Sequence, residues 1–252
     1  MDRLIYTAMS GASQTLSRQA SVANNLANVT TDGYRAAEHR LRAVQVRPQG
    51  FARDTALPTR AFAVDATTHT DFSAGPMVST GRTLDIAVKG QGWIALSMPD
   101  GSEAYTRAGS LQISVNGVLQ NAAGIPVAGD GGTITVPPDN KISVGEDGTL
   151  SVVPESGSQA IVNAIGRIKL VNPPAGELRR GDDGYFRLTA GGAAPASDTT
   201  RIVSGYIEGS NVNPAEQMVT MISLARQFEM QVKLLQTADA NDRAAAQILS
   251  PR

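Results

Sequence analysis

The sequence predicts an α+β fold, in which coiled-coil-like N- and C-terminal helices, discontinuous in sequence, flank a central all-β domain. Three observations predict it. Of 25 glycines, 20 lie between Gly75 and Gly192, and glycine is excluded from helix interiors but recruited by tight turns. Both ends carry apolar residues at spacings of three and four, the helical period. Between them the apolar residues fall in short runs separated by turn residues, the pattern of short strands. The boundaries that follow are a helix within 1–35, an extended basic linker at 36–75, an all-β domain at 76–210 and a second helix within 211–252.

The first helix is expected from Leu4 to Thr31. Ile5, Met9, Ala12, Leu16, Ala20, Ala23 and Ala27 recur at helical spacing, and Gly33 stands where a C-cap glycine belongs. The stretch from Arg35 to Arg60, which runs into the linker, holds six arginines against Glu38 and Asp54. A run of charge with no clear periodicity is read first as a solvated stretch, and second as a contact for an acidic partner. The β domain opens with Leu84–Val88 and Trp93–Leu96. Leu111–Val115 and Val118-Leu119 flank Asn116-Gly117, a strong hairpin signal. Further runs at Ile125–Val127, Thr133–Val136, Ile142–Val144, Thr149–Val153, Ile161–Ile165, Arg167–Val171 and Tyr185–Leu188 extend the series toward a sandwich or barrel. The last helix begins at Asn213, a capping residue, followed by Pro214 at the first helical position and Glu216 three residues after the cap. Met218, Met221, Ala225, Phe228, Val232 and Leu235 then alternate three and four apart, a seven-residue rhythm.

Composition removes several functions. Twenty-two basic and 23 acidic residues leave a net charge of −1, unlike the basic footprint of a nucleic-acid binder. The chain has no cysteine, so disulfides, thiolate metal sites and cysteine nucleophiles are excluded. No stretch approaches the roughly 18 apolar residues of a membrane span, so no membrane insertion is expected. Asp2 offsets Arg3, and Thr7, Ser10 and Gly11 break the apolar stretch behind them, which is a poor cleaved signal peptide. His39 and His69 lack metal-ligand spacing, and the glycine pairs near Gly90 and Gly129 lack the rest of a phosphate loop. No cofactor, metal or catalytic residue is expected. Paired acids such as Glu146-Asp147 keep a secreted β-rich hydrolase as an alternative class.

The helical ends carry the functional signal. From Leu4 to Thr31 the one charged residue is Arg18. A helix so poor in charge is suited to burial on several sides, which a packed assembly supplies. Asn24, Asn25 and Asn28 are poor helix formers that need polar partners when buried. The candidate assembly residues are therefore Ile5, Met9, Leu16, Asn24, Asn25, Leu26, Asn28 and Gly33 at the N-terminal end. At the C-terminal end they are Asn211, Asn213, Met218, Met221, Phe228, Val232 and Leu235.

The run Asn24-Asn25-Leu26-Ala27-Asn28-Val29-Thr30-Thr31-Asp32-Gly33-Tyr34 resembles the N-terminal signature of the bacterial flagellar rod and hook family. Thr83 to Trp93 with Tyr105-Thr106-Arg107-Ala108-Gly109 resembles that family's β-domain block, and Glu208 to Pro214 its approach to the C-terminal helix. Within the family, the opening Met1 to Met9 and the stretch Met221 to Met230 are similar to the proximal-rod branch; the distal-rod paralogue is the alternative. The resemblance implies a self-assembling structural subunit, not an enzyme, in the periplasm-spanning rod of the basal body. It implies export through the type III apparatus without a cleaved signal, with other rod subunits and the enclosing ring proteins as partners. It also implies terminal helices that line an inner tube; the sparse charge of those ends leads to the separate expectation that they fold fully only in the rod.

Overall fold

The computed structural model describes residues 2–45, 61–138, 140–154 and 162–249. The fold is α+β, with one helix at each end and the strands between them. The chain gathers into two compact units. One comprises Met1–Asn28, Ala36–Asp71 and Val212–Arg252, and the other Val29–Arg35 and Phe72–Asn211.

The helical unit contains α1 (Asp2–Ala27), α2 (Pro214–Leu249) and a hairpin of β1 (Ala37–Gln45) and β2 (Ala61–Thr70). The helices run antiparallel: Gly11 and Thr15 meet Gln231, while Asn25 meets Gln217. Gly11 permits that approach, since a Cβ there would lie 3.0 Å from Gln231 Nε2. Helix α1 ends at Ala27, four residues before the expected Thr31. The Asn28 side chain explains this. Its Nδ2 donates back to Asn24 O at 2.8 Å and to Asn24 Oδ1 at 3.0 Å, closing the last turn and competing with further helix. Helix α2 starts as expected. Asn213 Oδ1 accepts from the N–H groups of Ala215 at 3.1 Å and Glu216 at 3.4 Å, as an N-cap does.

The stretch 36–75 is not an extended linker in its described part. Strands β1 and β2 pair antiparallel from Ala37↔Thr70 to Gln45↔Ala61, with a register shift between Arg40 and Leu41. Phe62, Val64, Thr67, Thr68 and Thr70 supply the β-branched and aromatic residues that favour a pleated ribbon. Arginines interleaved with Leu41 and Ala43 hide that signal behind their charge. Residues 46–60, which hold Arg47, Arg53 and Arg60, lie outside the described residues.

The β unit is built from short strands: β3 (Met77–Ser79), β4 (Ile86–Lys89), β5 (Trp93–Ser97), β6 (Glu103–Thr106), β7 (Leu111–Ile113), β8 (Leu119–Asn121), β9 (Ala128–Gly129) and β10 (Gly132–Thr133). The series continues with β11 (Asn140–Val144), β12 (Thr149–Pro154), β13 (Asn163–Arg167), β14 (Leu170–Val171), β15 (Leu178–Arg180), β16 (Phe186–Leu188), β17 (Arg201–Ser204) and β18 (Tyr206–Glu208). A five-stranded sheet runs β14-β5-β6-β16-β15 and a three-stranded one β11-β12-β13. Two-stranded ribbons join β17 to β4, β18 to β3, β7 to β8 and β10 to β9. Gly117 takes φ +79° in the hairpin tip between β7 and β8, the conformation that Asn-Gly favours there.

Strand β5 shows how the core forms. Ile94 and Leu96 point into a cluster with Ile86, Leu111, Leu119, Leu150, Ile168 and Ile202. Trp93 and Ala95, on the alternate face, join Tyr105, Val171 and Phe186. A strand apolar at consecutive positions is thus buried on both faces. Within the aromatic cluster Phe72 and Trp93 pack edge-on, 5.9 Å apart at 88°, and Phe186 is tilted against both. Tyr105 Oη accepts from Ala194 N–H at 2.7 Å, and burial raises its pKa above the ordinary phenol value.

Candidate assembly surface

Helix α1 buries one side and bares the other. Ala8, Thr15, Val22 and Asn25 are buried. Tyr6, Met9, Ser13, Leu16, Ala20, Ala23 and Ala27 are all exposed. The exposed set alternates three and four residues apart from Tyr6 to Ala27, and the one charge within that span, Arg18, lies half a turn of the helical wheel from Met9. Met9 is 55% and Leu16 49% accessible. This is a narrow apolar stripe of the width that a facing helix covers.

Helix α2 divides its apolar residues. Leu224 and Ala238 are buried, and Met221, Phe228, Val232 and Leu235 are half-buried. Met218, Val219 and Ile222 face solvent near its start, and Met230 and Leu234 further on. The expected seven-residue seam of α2 is therefore mostly turned inward, with Met218 as the member left outside.

The asparagines have separate roles. Asn25 is 3% accessible. Its Nδ2 donates to Ala37 O at 2.9 Å and its Oδ1 accepts from Ala37 N–H at 2.9 Å, imitating a strand neighbour; Nδ2 also reaches Gln217 Oε1 at 3.4 Å. It joins α1, the first residue of β1 and the first turn of α2. Asn24 and Asn28 bond to each other at the exit of α1, and Leu26 is half-buried. Ile5 lies in α1, with its side chain outside the described residues.

Gly33 is not a helix cap, because α1 has ended well before it. In the β unit it takes φ +66°, and a Cβ there would overlap the Arg107 carbonyl carbon and Ala108 N. Its N–H donates to Glu208 O at 2.6 Å. Asn211 N–H donates to Tyr34 O at 3.3 Å, and its Nδ2 to Ser73 O at 3.1 Å. Gly33 and Asn211 thus fasten the segment 29–35 to the β unit.

The same segment brings a buried charge network that sequence reading missed. Glu208 Oε1 pairs with Arg35 Nη2 at 2.7 Å, and Oε2 with Arg107 Nη1 at 2.9 Å; Arg35 and Glu208 are 1% and 2% accessible. Gly75 N–H also donates to Oε1 at 3.0 Å. Arg107 Nη2 donates to Gly90 O at 2.6 Å, and its guanidinium lies 5.4 Å from the Trp93 ring centroid. Burial is the largest influence on Arg107 and lowers its pKa; Glu208 raises it, and Arg35 lowers it again. Asp32 has its carboxyl raised above the ordinary value, first by burial and then by Asp85. Charges spread over residues 35, 107 and 208 gave no local signal of convergence.

Among the described residues no group of three or more His, Cys, Asp or Glu side chains is placed to hold a metal ion, and no helix is long and apolar enough to cross a membrane.

Three family models match. One described as flagella basal body rod protein covers residues 5–35, one as flagellar hook protein FlgE/F/G D1 domain covers 87–152, and one as flagellar basal body rod FlgEFG protein C-terminal covers 203–248. The chain is 44% identical to the flagellar basal-body rod protein FlgF of Salmonella typhimurium over 99% of each chain, and to that of Escherichia coli by the same measures. It is 33% identical to the flagellar basal-body rod protein FlgG of Buchnera aphidicola, over 86% of this chain and 88% of that one.

Proposed function

The chain belongs to the flagellar basal-body rod protein family and is a structural rod subunit, and from that premise we propose that it builds the proximal rod by burying the outward stripe of α1. The observation that carries the reading is the run Tyr6, Met9, Ser13, Leu16, Ala20, Ala23 and Ala27, exposed at three-four spacing along a stretch of helix whose single charge, Arg18, lies on the far side. Such a stripe gains little in water and is satisfied by a neighbouring helix. The assembly residues proposed are those of the stripe, together with Ile5, Leu26 and the exposed Met218 at the start of α2.

In this reading the subunit leaves the cell through the type III export apparatus without signal cleavage. It assembles with other rod proteins inside the ring proteins and transmits torque by rigid packing, with no catalytic step. The proximal position rests on the match to FlgF proteins at 44% identity over nearly the whole chain, beside 33% for a FlgG protein over a smaller share. Basal bodies from cells lacking this protein test it. The rod is expected to stop close to the cell membrane. A proximal rod of normal length that lacks its outer part would assign the chain to the distal rod instead.

A further inference from the structure

We propose that the cleft beside Trp93 in the β unit is a docking pocket for an acidic side chain presented by a segment of another protein. The cleft has a volume of about 400 Å³ and is walled by Phe72, Trp93, Pro173, Pro174 and Leu178, with Arg107 at its polar side. A cleft with a proline and aromatic wall on one side and Gln91, Asn172 and the cation Arg107 on the other suits a ligand that joins a carboxylate to an apolar stem.

The charge balance points to the sign of that ligand. Two buried guanidiniums, Arg35 and Arg107, share the single carboxylate of Glu208. Arg107 Nε and Arg35 Nε and Nη1 are buried without a hydrogen-bond acceptor among the described residues. The lowered pKa of Arg107 agrees that its charge is incompletely compensated. A carboxylate entering the cleft meets the side that Arg107 lines and adds negative charge beside the network, and charge-assisted bonds are the stronger kind. The choice of a protein segment over a free small molecule rests on the axial-subunit reading, since an assembling subunit's neighbours are proteins. The cleft belongs to the β unit and the α1 stripe to the helical unit, so the pocket can fail its test while the assembly reading stands.

The test uses the full-length free subunit. Trp93 is the one tryptophan of the chain, so an ¹⁵N-labelled sample gives a single indole N–H signal that reports on the cleft. The probes are the blocked dipeptide acetyl-Phe-Glu-amide and its neutral twin acetyl-Phe-Gln-amide, which need no change to the protein. The expected result is a saturable shift of the indole signal with the glutamate peptide, binding about tenfold tighter than the glutamine twin and weakened by salt. Ala175→Phe, at an exposed turn position lining the cleft, is expected to abolish the shift. Equal binding of the two peptides, no saturable shift with either, or binding that survives Ala175→Phe would overturn the proposal. So would sodium acetate or inorganic phosphate producing the same shift at the same concentration, since a bare anion site needs no segment.

Discussion

Leu16→Asp separates the stability of the subunit from its assembly. Leu16 is 49% accessible in the free chain. Fully burying a leucine contributes about 1.5–3 kcal/mol, so roughly 1 kcal/mol is already realised in the free chain and roughly 1 kcal/mol more awaits assembly. The free subunit should therefore lose about 1 kcal/mol, a Tm drop of roughly 2–4 °C. The assembled rod loses the second share and must also bury a carboxylate with no partner, an effective penalty of several kcal/mol. Together these weaken each contact at least about a thousandfold, at about 1.4 kcal/mol per tenfold. The assay pairs thermal unfolding of the purified subunit with motility of cells whose sole copy carries the variant. Folded subunit with non-motile cells is expected, and Leu16→Met should swim normally. Motile cells carrying Leu16→Asp would refute the seam. So would a free subunit that unfolds outright, because Leu16 would then belong to the subunit's own core.

Other substitutions probe the β unit. Glu208→Gln keeps the shape of the buried network but leaves Arg35 and Arg107 without their counter-charge. It should cost about 3–5 kcal/mol in a urea titration followed by Trp93 fluorescence, and a loss below about 1 kcal/mol would contradict the network's role. Gly33→Ala must hold an L-residue at φ +66° and overlap the backbone at 107–108. It should cost more than Gly101→Ala, which has a similar φ of +80° but open space around it and an expected cost of about 1–2 kcal/mol; equal losses would remove the packing argument. Asp32 has a raised folded-state pKa, so the folded chain binds its proton more tightly than the unfolded chain does. Its contribution is present below the unfolded carboxyl value and is lost as pH rises through the folded one. Asp32→Asn should therefore stabilise the protein at neutral pH and leave it nearly unchanged in strong acid. Stabilisation confined to acid would reverse the sign and exclude the cause.

The parts of the fold that are local in sequence were readable from it. Asn213-Pro214 announced α2 because capping needs only the backbone of the next turn. Asn116-Gly117 announced its hairpin because the turn type itself demands those residues. What escaped depends on pairing at a distance. Strands β3 and β18 find each other across the length of the β unit, and no turn residue marks such a pair. The hairpin of β1 and β2 was masked by arginines, whose charge interrupts the apolar alternation that marks a strand. The seam of α1 was placed one residue off at Ala12, in place of Ser13. Small residues occupy every face of this helix, so spacing alone cannot say which face the chain covers for itself. Asn25 stood out as a polar residue in an apolar helix, but only the folded chain pairs it with Ala37 and Gln217. Glu208 gave no such hint, being one acid among 23 acidic residues.

Burial of the outward α1 stripe on rod formation can be measured directly, because the chain has no cysteine. Single cysteines replace Met9, Leu16 or, as a control in the β unit, the fully exposed Val115, which is 106% accessible. Maleimide labelling rates are then compared between the free subunit and intact basal bodies from motile cells. Met9→Cys and Leu16→Cys are expected to react readily in the free subunit and to become strongly protected in the rod, while a buried position such as Val22→Cys is slow in both. Val115→Cys shows whether the reagent reaches assembled subunits at all. Equal labelling of Met9→Cys and Leu16→Cys in the free and assembled states, with the subunit demonstrably in the rod, would contradict burial of the stripe.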